Sequence, residues 1–158
     1  MPHGTPEGTE QALLYAYCAG FIDADGCIML TVYKSKHWRQ MRVCVDAYNR
    51  KPEPLQLLKQ LFGGSLYYRK PRDERWAGCW CWRVQGNEAH TCLTALLPYL
   101  RIKQEQAKVA LAAEAIRQAE WKRVDAVGGC GSEPYSEEAW AQYLSLKEHM
   151  HWLNRKGG

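Results

Sequence analysis

From residue 27 onward the chain alternates. Ile28, Leu30 and Val32 point one way; Met29, Thr31 and Tyr33 point the other. Period two is the mark of a strand with two unlike faces. A second run, about 40–48, sets Met41, Val43, Val45 and Ala47 against Gln40, Arg42, Cys44 and Asp46. The basic turn Lys34-Ser35-Lys36-His37-Trp38-Arg39 joins them. The pair reads as a hairpin whose apolar face packs on helices while its polar face meets something charged. Upstream, residues 10–25 keep helical spacing. Ala12, Ala16 and Gly20 recur every four residues with Ala19 beside them, a ridge of small side chains on one face. Such ridges let two helix backbones approach closely. Gly26, able to adopt positive φ, is expected to stop the helix.

Further along, Pro52-Glu53-Pro54 opens a helix with Leu55, Leu58, Leu61 and Phe62 on one face, and Gly63-Gly64 ends it. A second hairpin has strands near 65–70 and 79–85. Trp80 and Trp82 alternate along its second strand, and the pattern leaves open whether they face the core or the polar side. Helices follow at about 88–97 and 103–122, with Pro98 between them. Gly128-Gly129-Cys130-Gly131-Ser132 reads as a flexible link, and Ser136 caps a last helix of about 137–153. The predicted order is α-β-β-α-β-β-α plus carboxyl-terminal helices, an α+β layout. We expect a loose tail over 1–9 and one domain over 10–158, with a helical extension at about 133–154.

Composition changes this picture in two ways. At 158 residues the chain is long enough for one domain with a proper core. Its net charge of +4 is concentrated in basic clusters at Lys34 to Arg42 and Arg69 to Arg75, which favours a polyanionic partner. Seven cysteines without a CxxC pair read as reduced small hydrophobes rather than a zinc site or a disulfide framework. No apolar run reaches the ~18 residues of a membrane span.

The odd feature is the pair Asp23 and Asp25. Both sit at the carboxyl end of a helix, facing its negative pole, which disfavours an exposed carboxylate by roughly 0.3–1 kcal/mol. A hard divalent cation would offset that, because Asp oxygens are the ligands Mg²⁺ prefers.

These residues carry a resemblance. Cys18 to Gly26 resembles the LAGLIDADG motif of homing endonucleases, with Ala19, Gly20, Ile22, Asp23, Ala24, Asp25 and Gly26 matching outright. Residues 93–107, containing Leu-Pro-Tyr-Leu-Arg-Ile-Lys-Gln, resemble the family's late helix-turn-helix segment. The resemblance implies a homodimer of single-motif chains whose motif helices pack together and bring two Asp25 carboxylates close. Like charges so near repel unless cations lie between them. It assigns metal binding to Asp25 and the Ala24 carbonyl, with Mg²⁺ as the cofactor and Mn²⁺ or Ca²⁺ able to substitute in binding. Asp23 it treats as structural. Lys103 is assigned to polarising the attacking water or the phosphate charge. A residue at the end of the second strand holds water near the metals; Asn49 is the candidate, and Ala47 competes under another alignment. The helix ridge Ala12, Ala16, Ala19 and Gly20 becomes the dimer interface.

The same resemblance makes double-stranded DNA the partner. A curved ribbon fits the major groove. Thr31, Tyr33, Gln40, Arg42, Tyr67 and Arg69 become readers of bases, and Lys36, Arg39, Arg72 and Arg75 become grips on phosphate. The implied activity is a staggered double-strand break in a long pseudo-palindromic site. The rivals are an RNA maturase that assists splicing and a DNA-binding regulator that lost catalysis; Asp25 and Lys103 favour the nuclease, since binding alone does not need them. Abundant Ala, Trp and Arg over Ile and Asn points to a GC-rich gene, hence a bacterial or phage source and a nucleoid-associated cytoplasmic protein.

Overall fold

The alternating segments pair into one antiparallel sheet because each has an apolar side to bury. In this computed structural model, residues 7–36, 38–126 and 135–156 are described. Helix α1 spans Glu7–Asp25, strands β1 and β2 span Gly26–Lys34 and Arg39–Asn49, and α2 spans Glu53–Phe62. Strands β3 (Ser65–Arg69) and β4 (Cys79–Gln85) follow, then α3 (Gly86–Leu96), α4 (Gln104–Ala126) and α5 (Glu137–Lys156). The element order is the expected one. Helix α1 starts at Glu7, inside the segment expected as a tail. The glycine-rich link at 128–132 lies outside the described residues.

The sheet order is β1-β2-β4-β3, so the two hairpins meet through β2 and β4. Ile28 faces Val45, which faces Val84 across the sheet. These and Leu30, Met41, Val43, Ala47 and Trp82 form the buried floor on which the helices lie. Helix α1 adds Cys18, Ala19 and Ile22; α2 adds Leu55, Leu58 and Phe62. Trp82 is fully buried, and its indole N–H donates to the Gly63 carbonyl at 2.9 Å. A buried indole needs such an acceptor. Trp80 shares that face, half-buried, edge-on to Tyr68 at 5.5 Å between ring centroids. Both tryptophans therefore face the helical side. Cys18, Cys27, Cys44, Cys79, Cys81 and Cys92 are free thiols.

Gly26 does not act through positive φ, which among the described residues occurs only at Gly63, Gly64 and Gly86. It is needed for space. A Cβ there would lie 2.7 Å from the Ile22 carbonyl oxygen and 2.8 Å from its Cα. The strand can leave the helix at once only because residue 26 has no side chain.

Helix α5 straps the first hairpin, β1 and β2. Tyr143 is fully buried, and its hydroxyl lies 2.7 Å from the Thr31 carbonyl and 2.9 Å from that of Arg42. It also accepts the Arg42 amide at 3.1 Å. Burial pushes its ionisation well above the ordinary phenol range. Asn154 donates to the Ile28 carbonyl at 3.0 Å on the edge strand β1. Arg39 pairs with Glu137 at 2.9 Å and lies 4.4 Å from the Trp140 ring centre. No described helix is long and apolar enough to cross a membrane.

Replacing Tyr143 by Phe keeps the ring and strands three backbone contacts. Urea unfolding should show a loss of about 1–3 kcal/mol. An unchanged midpoint would mean that α5 holds the sheet by packing alone.

Candidate active site

Residues two apart on a helix point about 200° away from each other. Asp23 and Asp25 therefore cannot share a role. Asp23 turns inward and is buried, while Asp25 is exposed. The Asp23 carboxylate accepts the Arg101 amide at 2.8 Å and the Lys103 amide at 2.9 Å. In return the Lys103 ammonium donates to the Asp23 main-chain carbonyl at 2.5 Å. The last carbonyls of one helix and the first amides of another lack partners within their own helices. Here the end of α1 and the entry to α4 satisfy each other. Lys103 is 7% exposed, so its charge is held in place against the final turn of α1.

Asp25 reaches the surface beside the end of β2. Asn49 donates from its amide nitrogen to the Asp25 carboxylate at 3.2 Å. Its amide oxygen accepts the Lys51 main-chain N–H at 2.9 Å. That second bond determines which end of the amide faces Asp25. Ala47, the competing position, is buried in the core opposite Gly26. Ala24 is exposed in the last turn. Among the described residues no cluster of three or more His, Cys, Asp or Glu side chains could hold a metal. One chain brings a carboxylate and the carbonyl end of a helix, oxygen donors of the type Mg²⁺ prefers but too few to fill six positions. The donors present fit a divalent ion shared with other ligands.

The outer face of α1 differs from the expected ridge. Ala16 and Gly20 are exposed, and a Cβ at Gly20 would meet nothing within 4 Å. Ala12 is half-buried. Ala19 is fully buried in the core with Cys18 and Ile22, and so is not available to a second helix. Three residues on from Ala19, Ile22 lies on the same inward face, which is why Ala19 follows it. Leu13 (63% exposed) and Tyr17 (53% exposed) take its place on the open face. The spacing Leu13, Tyr17, Gly20, Ala24 is the sequence signal for this face.

On the polar side of the sheet, Thr31 sits opposite Arg42 and Tyr33 opposite Gln40. Arg42 donates to the Gln40 side-chain oxygen at 2.8 and 3.1 Å and lies over the Tyr33 ring at 5.0 Å. Tyr67 and Arg69 share this side through their register with Cys81 and Cys79. At the loop tips, Lys36 and Arg72 are exposed. Arg75 is exposed but folded onto Asp73 at 2.6 Å, holding that carboxyl below the usual carboxylate range. Arg39 is drawn back into the α5 strap described above.

Sequence reasoning missed a network on this same face. Asp46 accepts Arg83 at 2.7 and 2.5 Å and Tyr48 at 2.9 Å. Burial and this bond push the Tyr48 hydroxyl up to about 12. Alternation places Asp46 on the polar side; only the β2–β4 register puts Arg83 opposite it.

Replacing Asp23 by Ala should lower stability by about 2–3 kcal/mol, since two buried amides lose a charged acceptor. Replacing Asp25 by Ala should leave the denaturation midpoint within about 0.5 kcal/mol of the parent, as expected away from buried partners. Equal losses would merge the two roles that the geometry separates.

Comparison with known proteins shows the family and the fold. The family model described as LAGLIDADG endonuclease matches residues 18–104, more than half of the chain. The DNA endonuclease I-CvuI of Chlorella vulgaris is 34% identical over 110 residues, which cover 67% of this chain and 66% of that protein. The crystal structure of I-CvuI with its target in the presence of 2 mM Ca superposes with a TM-score of 0.69 at 24% identity, covering 92% of this chain and 84% of that one. The archaeal intron-encoded homing endonuclease I-Vdi141I, complexed with DNA, gives a TM-score of 0.66 at 13% identity, covering 96% and 88%. The two solved structures share the fold, and the family match spans both the acidic helix end and Lys103: the chain belongs to the LAGLIDADG endonuclease family.

Proposed function

We propose that this chain is half of a homodimeric homing endonuclease that makes a staggered double-strand break in a long pseudo-palindromic DNA site. The observation that carries the reading is the split at the end of α1. Asp23 is consumed by the fold, whereas Asp25 is left exposed and oriented by Asn49, and a buried lysine is fixed on the same final turn of α1. A fold without chemistry to perform would gain nothing from the exposed carboxylate at a negative helix pole.

A second copy completes the site. The open face of α1, with Leu13, Ala16, Tyr17 and Gly20, would meet its twin about a two-fold axis and bring the second Asp25 alongside the first. Asp25 and the Ala24 carbonyl would hold the divalent ion, for which Mg²⁺ is our assignment. Bound there, such ions activate water and stabilise the leaving oxygen of a phosphodiester. Asn49 holds the Asp25 carboxylate in one orientation. Lys103, fixed through Asp23, keeps a positive charge where negative charge grows on the phosphate. Thr31, Tyr33, Gln40, Arg42, Tyr67 and Arg69 face the major groove, and Lys36 and Arg72 meet phosphates. Arg39 and Arg75 reach phosphate only by leaving Glu137 and Asp73. DNA as substrate places the protein with its host genome. The bacterial or phage source expected from composition has no support from the curated relative, which comes from Chlorella vulgaris.

The test is cleavage of duplexes enriched by binding from a randomised library in Ca²⁺. Wild type should linearise plasmids carrying them in Mg²⁺. Asp25→Asn should lose at least a thousandfold in cutting rate, about 4 kcal/mol, while binding stays within a few-fold. Chelation should abolish cutting, and affinity should fall steeply with salt. If Asp25→Asn still cuts, the catalytic assignment is wrong. Binding without cutting in Mg²⁺ or Mn²⁺ would favour a regulator, and a preference for structured intron RNA would favour a maturase.

A further inference from the structure

Arg83 lies on β4, one of the two inner strands, on the polar side of the sheet. Its row across the sheet runs Cys27, Asp46, Arg83, Ser65. Cys27 is two residues past Asp25, so the row lies at the end of the sheet that carries the active carboxylate. The other side chains of the row are short. The Arg83 side chain is 38% exposed, whereas that of Asp46 beneath it is 2% exposed.

The contact between them is side-on. Nε donates to one Asp46 oxygen at 2.7 Å and Nη2 to the other at 2.5 Å. A guanidinium has five N–H donors in a rigid fork. Two are taken, and the far end of the fork, Nη1 with the second Nη2 proton, has no hydrogen-bond partner among the described residues. Tyr48 steadies the carboxylate from the other side at 2.9 Å. Burying an ion pair contributes little net stability, so its best-attested use is to specify geometry. A fixed fork suits a phosphate as well as a base edge, but Arg83 stands within an inner strand of the polar face and not at a loop tip. A base edge needs the fork itself, because guanine offers N7 and O6 as paired acceptors in the major groove.

We infer that Arg83 reads a guanine at the inner end of each half-site, nearest the two-fold axis, with Asp46 as the positioning residue that holds its fork. The inference rests on the DNA-reading function proposed above. The measurement is selection of randomised duplexes by the dimer in Ca²⁺, followed by sequencing. Wild type should enrich a G at two symmetry-related inner positions, disfavouring other bases by about 5- to 150-fold. Arg83→Gln should erase that preference or turn it toward A, leaving other positions unchanged. Asp46→Asn should relax the same two positions by a smaller factor, with affinity for the remaining sequence retained. The double variant Asp46→Leu with Arg83→Met removes both partners of the ion pair, so that neither charge is left unpaired, and should lose the same preference alone.

A base profile in Arg83→Gln or the double variant identical to wild type would overturn the inference. So would a uniform loss of affinity across all sequences with a salt slope shallower by about one, the behaviour of a phosphate contact. A wild-type selection that enriches no sequence at all is a different result: it would overturn the DNA-reading function itself, and the guanine assignment with it.

Discussion

The structure depends on an exchange between two helix ends. The final turn of α1 has carbonyls with no partner, and the entry to α4 has amides with no partner. Asp23 and Lys103 connect them across eighty residues of chain, carboxylate to amides and ammonium to carbonyl. Each group removes a cost that the other end would otherwise carry. The result is a rigid corner where helix, sheet and the Leu100 to Lys103 segment meet. Asp25 and Lys103 inherit their positions from that corner rather than from contacts with each other.

The sheet divides labour between its faces. The inner face is continuous hydrocarbon and is held by volume. The outer face is polar, and it is held by hydrogen bonds that also fix side-chain direction. Arg42 on Gln40 and Arg83 on Asp46 are two instances of one device: a long cation pinned by a neighbour two residues or one strand away. Pinning reduces the rotamer freedom that a free arginine would lose on binding. Helix α5 adds a third element. Through Tyr143 it reaches the backbone of the edge strand β1 and of its inner neighbour β2, and through Arg39 and Trp140 it covers the turn end of the first hairpin.

Much of this was legible beforehand because the relevant signals are local. Alternation at 27–33 and 40–48, the leucine spacing of α2 and the proline and glycine punctuation placed the elements within a few residues. Gly26 follows the end of α1 as the sequence predicts, though the reason is crowding by Ile22 and not a left-handed turn. Ala19 was misread because a ridge of alanines looks alike whether it faces a partner or the core. Which way it turns depends on the placement of Ile22 and Cys18 against the sheet, a fact about the packed molecule.

By itself the sequence determined the faces of the first hairpin, the helix that ends in two acids, the basic loop tips and the family motif. Those are set by short-range periodicity and by residue chemistry, which survive without a fold. Only the tertiary structure decided that Asp23 caps the entry to α4 while Asn49 reaches Asp25, that Trp80 and Trp82 turn to the helices, and that Asp46 meets Arg83. Each of these is a choice between two faces or two partners distant in sequence. Such choices are made by which pairing buries the most apolar surface and leaves the fewest polar groups unmatched, and no window of neighbouring residues contains that information.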